Sequence, residues 1–174
     1  MEKNKSQKIL ISSADIEKRN AELGAMISKD YEGKNLAIIS LLRGSFIFAS
    51  DLVRKITIPV EIDFMTTSSY ENKEVSLGKV QIVNDIRADI KGKDVLIVDD
   101  IIDSGYTMNQ VVNHLKKYSP NSIKVCVLLD KPTRRKVELE ADYVGFRIPD
   151  VFIVGYGLNY GDFYRNVPYI FTFE

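Results

Sequence analysis

The chain has 174 residues, a length that suits one domain with a substantial hydrophobic core. Its 24 lysines and arginines balance 24 aspartates and glutamates, and this zero net charge argues against a nucleic-acid-binding protein, which usually has a basic excess. The sequence contains no apolar run long enough to span a membrane and no signal-peptide core. We therefore expect a cytoplasmic protein that binds neither membranes nor nucleic acid.

The first third of the chain predicts a helix, a buried strand and a second helix. Ser12-Ser13 can cap the first helix. Its apolar face consists of Ile16, Leu23, Met26 and Ile27. Residues 36–42 are apolar without alternation, which is typical of a central strand in a parallel sheet. A glycine turn, Arg43-Gly44-Ser45, then precedes a helix to Val53; taken alone, Arg43 would be a surface charge at a helix start.

Residues 60–83 predict two strands separated by a polar segment. Residues 60–67 and 79–83 are rich in β-branched residues, whereas residues 68–76 are polar and unpatterned. Such a segment is either a hairpin tip or a functional lid. By itself the pattern favours the hairpin tip.

The stretch Val95–Thr107 organises the predicted site. Its first four residues predict a buried strand that ends at Asp99 and Asp100, and Asp103 follows. Ligands of open α/β sheets bind at the carboxyl ends of strands, so these acids lie where a ligand is expected. One acid could simply cap the next helix, but the presence of three acids is better explained if they bind a metal or the hydroxyls of a ribose.

The residues after the acids predict a phosphate-binding loop that opens a helix. Ser104 and Thr107 provide hydroxyls, Gly105 permits a close backbone approach, and the amino end of a helix offers free N–H groups to a phosphate. The apolar face of the helix consists of Met108, Val111, Val112 and Leu115. The only histidine, His114, lies off that face and is predicted to be a solvated surface residue. Acid–base chemistry must therefore come from carboxylates, lysines or tyrosines.

The last third of the chain adds a cation to the same edge of the sheet. Residues 123–129 predict a parallel strand that contains the only cysteine, Cys126, as a buried structural thiol, and Lys131 follows the strand. Arg43, the three acids and Lys131 thus follow three different strands, and their convergence predicts a single site. The remaining predicted elements are short strands at 142–145 and 151–154, a glycine- and tyrosine-rich loop at 155–161 and an edge strand at 168–173.

The run Val95–Thr107 resembles the phosphoribosyl-diphosphate (PRPP) signature of the type I phosphoribosyltransferases, and the flanking residues resemble their hypoxanthine (hypoxanthine-guanine) branch. The resemblance covers nearly the whole chain. It implies an α/β fold with a central, mostly parallel sheet flanked by helices, a small hood from the termini and a mobile active-site loop. Residues 1–174 would form a single domain, with a flexible loop at about 68–78 and a base-binding hood at about 146–174.

The resemblance also implies an activity in purine salvage. The enzyme would transfer the 5-phosphoribosyl group from PRPP to N9 of hypoxanthine or guanine and release pyrophosphate, with Mg²⁺ as cofactor. Its partners would be PRPP, a 6-oxopurine base and further copies of the chain in a homodimer or homotetramer.

Each contact implied by the resemblance falls on a residue of this sequence. Asp103 would be catalytic by handling the proton of purine N7, and Lys131 by donating to purine O6. PRPP and its 5′-phosphate would be bound by Asp99, Asp100, Asp103, Ser104, Gly105, Tyr106 and Thr107, and pyrophosphate by Arg43, Gly44 and Arg165. The purine would contact Ile101, Lys131, Phe152, Ile153 and Asn159, and Mg²⁺ would be held near Asp99, Asp100 and Asn159. Ser69 and Tyr70 would belong to the closing loop, and the peptide bond that can be cis in the family would be Arg43–Gly44.

Two positions depart from the family pattern. The family usually carries an aspartate that binds Mg²⁺ where this chain has Asn159, whose amide offers a carbonyl oxygen but no charge. We therefore expect metal affinity to be lower than in an Asn159→Asp variant. Tyr106 stands where the family often has a basic or small residue, which is tolerable because backbone amides would bind most of the phosphate.

Two alternatives remain open from the sequence. The first is a PRPP-sensing regulatory protein that binds RNA or DNA, although such relatives tend to lose the acid at Asp103, and here both Asp103 and Lys131 are present. The second is a phosphoribosyltransferase for another base. Adenine and orotate enzymes share the signature but not the neighbourhood of Lys131 and Phe152, whereas hypoxanthine, guanine and xanthine are not ranked by the sequence.

Overall fold

Six strands form one sheet in the order β4-β3-β2-β5-β6-β7, and two more pair separately in this computed structural model, which describes residues 6–69 and 80–174. The strands are β1 (Gln7–Ile11), β2 (Leu36–Leu42), β3 (Val60–Ser69), β4 (Val80–Asn84), β5 (Asp94–Ile102), β6 (Ser122–Asp130), β7 (Tyr143–Arg147) and β8 (Ile170–Phe173). The helices are α1 (Ser13–Asp30), α2 (Phe46–Val53) and α3 (Tyr106–Leu115), with single 3₁₀ turns at Lys116–Tyr118 and Pro132–Arg134.

The main sheet is parallel except at one edge. β3, β2, β5, β6 and β7 pair in parallel, and only β4 runs antiparallel to its neighbour β3. β2, β5 and β6 are buried on both faces over most of their length, which explains why their sequences do not alternate. Their carboxyl ends therefore lie at one edge, as predicted.

Helices cover both faces of the sheet. α1 and α2 pack with alternate residues of β2, β5 and β6, among them Cys126, in one core cluster. α3 packs with the intervening residues of the same strands in a second cluster. Burial raises the pKa of the Cys126 thiol, so the prediction of an inert buried cysteine is confirmed. None of the helices in the described part of the chain is long and apolar enough to cross a membrane.

Three local predictions need correction. Met26 is 45% exposed and does not belong to the buried face of α1. His114 is partly buried, because its Nε2 lies 2.7 Å from Asp85 Oδ2, and it is not a freely solvated residue. Residues 151–154 form no strand; only Val154 makes an isolated bridge, to Phe171.

The two ends of the described chain form a separate antiparallel pair. β1 pairs with β8 through Gln7 opposite Phe173 and Ile9 opposite Phe171. This pair, with the loops before β8, gives the small hood that the resemblance implies. The predicted loop at 68–78 falls mostly outside the described residues.

Candidate active site

A cleft of about 300 Å³ opens at the carboxyl edge of the sheet, between the ends of β2 and β5 and the start of α3. The cleft brings together nine of the predicted site residues, namely Arg43, Gly44, Asp99, Asp100, Ile101, Asp103, Ser104, Gly105 and Thr107. Leu41, Leu42, Thr67 and Met108 complete its lining. The predicted residues whose side chains are described and that lie outside this lining are Tyr106, Lys131, Phe152, Ile153, Asn159 and Arg165.

Two adjacent carboxylates provide the charge of the cleft. The backbone N–H of Asp100 donates to Asp99 Oδ1 at 2.9 Å, and the N–H of Ile101 donates to Asp100 Oδ1 at 2.7 Å. Burial, and next the neighbouring charge of Asp100, raise the pKa of Asp99 well above its ordinary 3.8. Burial also raises the pKa of Asp100, against the opposing effects of hydrogen bonds from the Asp99 side chain and the Ile101 N–H and, less strongly, of the positive charge of Arg165. The pair therefore repels itself and favours a cation or donor hydroxyls between or beside the carboxylates.

The raised pKa of Asp99 predicts a site that destabilises the fold at neutral pH. The folded protein holds this proton more tightly than the unfolded chain, so the contribution to stability is favourable in acid and is lost as pH rises through the folded-state pKa. We expect Asp99→Asn to raise the free energy of unfolding at pH 7, because the amide removes the buried charge. Urea unfolding at pH 7 and pH 4 tests this, and a gain that is equal at both pH values would contradict it.

A close approach of backbone to carboxylate joins the loop after β2 to the acidic pair. A Cβ on Gly44 would lie 1.7 Å from Asp100 Oδ2, so any larger residue at this position would displace the Asp100 carboxylate. A Cβ on Gly157 would lie 2.2 Å from the carbonyl oxygen of Gly44, so the loop around Gly157 packs closely against the backbone of the same turn. The cis peptide bond is Leu42–Arg43, one residue earlier than the expected Arg43–Gly44. The Arg43 side chain is exposed.

The predicted phosphate loop opens α3 as expected. Gly105 has φ +86° and caps the helix, and a Cβ there would meet Val137 Cγ2 at 2.7 Å. The carbonyl of Ser104 accepts a hydrogen bond from the N–H of Lys136 at 2.9 Å. The segment after β6 therefore holds the backbone of this loop in place. Tyr106 is the first residue of α3, and its N–H lies 3.4 Å from Ser104 Oγ.

A network of four charged side chains connects Asp103 to Lys131. Arg134 Nε donates to Asp103 Oδ1 at 2.9 Å, and Arg134 Nη1 donates to Asp150 Oδ2 at 3.3 Å. Lys131 Nζ lies 3.6 Å from Asp150 Oδ1. The hydrogen bonds to Asp103 and Asp150 raise the pKa of Arg134, which therefore stays charged. The two predicted catalytic residues, Asp103 and Lys131, are thus connected through Arg134 and Asp150.

An exposed aromatic ring lies beside the buried lysine. The Lys131 side chain is 9% exposed, and its Nζ donates to the carbonyl of Val151 at 2.7 Å. The next residue, Phe152, is 59% exposed and contacts Tyr160 edge-on, with ring centroids 5.8 Å apart. Ile153 is buried in the core. A lysine donor next to an exposed ring suits a flat heterocycle with an acceptor oxygen.

The remaining predicted contacts lie in or near the loop that follows β7. Arg165 Nη1 donates to the carbonyl of Gly157 at 2.6 Å, which brings this arginine to the turn that packs on Gly44. Asn159 is exposed, and its Nδ2 donates to the carbonyl of Gly161 at 2.6 Å. An aspartate could not make that bond because it has no donor. Ser69 is the last residue of β3, and Tyr70 lies outside the described residues.

Sequence reasoning missed four contributors to this arrangement. Arg134 bonds to Asp103 and to Asp150, and the carbonyl of Val151 accepts the bond from Lys131. Gly157 packs on Gly44. The glycine–tyrosine–glycine sequence around Gly157 signals unusual backbone. No local pattern distinguishes Arg134 from the other cations of its segment.

Comparison with known proteins gives consistent matches over nearly the whole chain. Residues 6–161 match the family of the phosphoribosyl transferase domain. The chain is 53% identical over 165 residues to a hypoxanthine phosphoribosyltransferase of Haemophilus influenzae, covering 93% of this chain and 92% of that protein. It is 46% identical over 171 residues to a hypoxanthine-guanine phosphoribosyltransferase of Staphylococcus aureus, covering 98% and 96%. A crystal structure of a hypoxanthine phosphoribosyltransferase from Staphylococcus aureus superposes with a TM-score of 0.92 at 46% identity, covering 96% of this chain and 91% of that chain.

Proposed function

Because the chain belongs to the hypoxanthine-guanine phosphoribosyltransferases of the type I phosphoribosyltransferase family, we propose that it transfers the 5-phosphoribosyl group of PRPP to N9 of hypoxanthine or guanine in purine salvage. Its fold is that of the type I family. The observation that carries the proposal is the cleft itself, where one arginine–glycine turn, an acidic pair and a phosphate-type loop meet beside Asp103.

The sugar and phosphates of PRPP would occupy the cleft. The amino end of α3 offers backbone N–H groups to the 5′-phosphate, with hydroxyls from Ser104 and Thr107. The carboxylates of Asp99 and Asp100 would accept hydrogen bonds from the two ribose hydroxyls, which relieves the repulsion between them. Arg43 and Arg165 would bind the pyrophosphate, whose negative charge grows as the bond to the anomeric carbon breaks.

The residues present fit a Mg²⁺ ion that is shared with the substrate. Among the described residues, no group of three or more His, Cys, Asp or Glu side chains is arranged to hold a metal alone. The acidic pair Asp99 and Asp100, with raised pKa values, nevertheless lines the cleft, and Mg²⁺ is commonly held by one or two carboxylates and substrate phosphates. When bound, the ion would neutralise the departing pyrophosphate. Asp99, Asp100 and the carbonyl oxygen of Asn159 would be its protein partners, directly or through water.

The purine would lie beside Lys131 and Phe152. A Lys131 N–H donated to purine O6 would favour 6-oxopurines, because adenine has a donor amino group at that position. Phe152 would stack on the base, Ile101 would pack on its other face and the backbone at Ile153 would meet its edge. Asp103 would hold the N7 proton while N9 attacks the sugar, since a carboxylate can accept and return it.

The test is a spectrophotometric assay with PRPP, Mg²⁺ and each of hypoxanthine, guanine, xanthine and adenine. We expect turnover of hypoxanthine or guanine and none of adenine. Turnover of xanthine alone would show that the enzyme acts on xanthine and not on hypoxanthine or guanine. Absence of turnover with all four bases, despite PRPP binding, would favour a regulatory protein. Assembly as a homodimer or homotetramer stays a prediction, which light scattering tests.

Asn159 leads to a prediction about metal affinity. Its amide carries no charge and its Nδ2 is already bonded to the carbonyl of Gly161. We expect Asn159→Asp to lower the Mg²⁺ concentration for half-maximal PRPP binding by about tenfold, because the carboxylate adds a negative charge that the amide lacks and metal affinity depends on ligand charge. Calorimetric titration of Mg²⁺ in the presence of PRPP measures this. Asn159→Gln is the control, and identical half-saturation in the wild type and Asn159→Asp would refute the prediction.

A further inference from the structure

Three consecutive residues of the loop before Asn159 have a left-handed backbone. Gly155 has φ +102°, Tyr156 φ +50° and Gly157 φ +101°. Glycine adopts such values easily, whereas a tyrosine there is strained. Strained non-glycine residues persist only when their surroundings hold them, and they cluster at functional sites. Tyr156 is therefore held in this conformation for a reason that local sequence preference does not supply.

The side chain of Tyr156 anchors this strained segment to two helices. Tyr156 is 5% exposed, and its hydroxyl donates to Asp51 Oδ2 on α2 at 2.5 Å. The hydroxyl also accepts a hydrogen bond from Asn20 Nδ2 on α1 at 2.9 Å. Burial, and next the hydrogen bond to Asp51, raise the pKa of Tyr156, so the hydroxyl keeps its proton and remains a donor. Neither Asn20 nor Asp51 lines the active-site cleft.

The backbone next to Tyr156 contacts two elements of the proposed pyrophosphate site. The N–H of Gly157 donates to the carbonyl of Arg165 at 2.9 Å, and Arg165 Nη1 donates back to the carbonyl of Gly157 at 2.6 Å. The Cα of Gly157 also packs against the carbonyl of Gly44, where an added Cβ would lie at 2.2 Å. One residue thus touches both the arginine and the glycine turn, and its position follows from the conformation of Tyr156.

We propose that Tyr156 is a positioning residue for pyrophosphate, which acts through Gly157 on Gly44 and Arg165. The inference rests on the proposed function of that subsite. The Tyr156 hydroxyl fixes the left-handed segment 155–157 relative to α1 and α2. This segment then sets the separation between Arg165 and the backbone of Gly44. Lys131, the proposed partner of purine O6, is held separately from this bond, because its Nζ donates to the carbonyl of Val151.

The experiment compares binding of PRPP and of base in Tyr156→Phe. This variant removes the hydroxyl and leaves Asp51 and Asn20 without that partner, while the ring still fills its pocket. We expect the KM for PRPP, and the KM for pyrophosphate in the reverse reaction, to rise about tenfold. The KM for hypoxanthine should stay within about twofold. Asp51→Ala should reproduce the selective rise, and Asp51→Asn, which keeps an acceptor oxygen, should restore most of the wild-type affinity.

Tyr143→Phe is the matched control. Tyr143 is likewise a buried tyrosine, 3% exposed, and its hydroxyl donates to Asp30 Oδ2 at 2.7 Å. It is the first residue of β7 and so lies at the amino ends of the parallel strands, whereas the cleft lies at their carboxyl ends. Both tyrosine variants should lower the melting temperature, but only Tyr156→Phe should change the ratio of the two KM values.

The outcomes separate this inference from the proposed function. Wild-type protein that binds no PRPP in calorimetry would refute both. Wild-type protein that binds PRPP, with unchanged PRPP affinity in Tyr156→Phe and Asp51→Ala, would overturn the inference alone. If Tyr156→Phe fails to fold, the two Asp51 variants decide the matter, since Asp51 is a partly exposed residue of α2.

Discussion

Replacing Asp103 by asparagine is expected to lower kcat by about 10² to 10⁴, the usual contribution of a positioned general base, and to weaken PRPP binding far less than that, because the amide oxygen still accepts a hydrogen bond. The asparagine carbonyl can still accept the hydrogen bond that Arg134 Nε donates to Asp103 Oδ1 at 2.9 Å. The side chain would therefore keep its place, and only its ability to take a proton from purine N7 would be lost. Steady-state kinetics with hypoxanthine, together with calorimetric titration of PRPP, measures both quantities.

Arg134→Gln is the control for Asp103→Asn, because it removes the partner and leaves the carboxylate. The ion pair between them is exposed, so water screens it strongly and it contributes little. We expect Arg134→Gln to change kcat by no more than about fivefold. If Asp103→Asn retained a tenth or more of wild-type kcat, Asp103 would not be the base. If Arg134→Gln were as damaging as Asp103→Asn, the role of Asp103 would depend mainly on its orientation.

The sheet and the acidic side of the cleft were predictable because their signals are local. Three unalternating apolar runs gave β2, β5 and β6, and parallel strands must end at a common edge. The polar residues that follow these strands were therefore expected together, and the cleft brings Arg43, Asp99 and Asp103 into one lining. The resemblance to a known family then supplied the role of each residue, which no pattern of spacing could have given.

The contacts that sequence reasoning missed join residues far apart in the chain. Arg134 bonds to Asp103 across 31 residues and Tyr156 to Asp51 across 105. Neither contact leaves a periodic signal, because one side chain on a loop is enough to make it. Met26 shows the opposite failure: its spacing fits the apolar face of α1, yet it is 45% exposed, since the apolar stripe is wider than the surface that α1 buries.

Replacing Gly44 by alanine is expected to lower kcat/KM for PRPP by about 10²-fold or more while the protein stays folded. The new Cβ would lie 1.7 Å from Asp100 Oδ2 and 2.7 Å from Asp100 Cγ. The short carboxylate must rotate away, which breaks its bond from the N–H of Ile101 and moves it from the position proposed for binding the ribose hydroxyls. A displacement of about 1 Å at a reacting centre can cost about 10²-fold in rate.

The stability measurement distinguishes Gly44→Ala from the other close glycine. In Gly44→Ala only a side chain has to move, so we expect the melting temperature to change by less than about 4 °C, equivalent to about 1 kcal/mol. In Gly157→Ala the Cβ would meet backbone, the carbonyl oxygen of Gly44, at 2.2 Å with φ at +101°, so we expect losses of both activity and stability. Gly33→Ala has φ +73° and open space around it and should cost stability alone, by about 1 kcal/mol. Wild-type kcat/KM in a folded Gly44→Ala protein would mean that the position of Asp100 is not critical to PRPP, because the steric conflict leaves that carboxylate no means of staying in place.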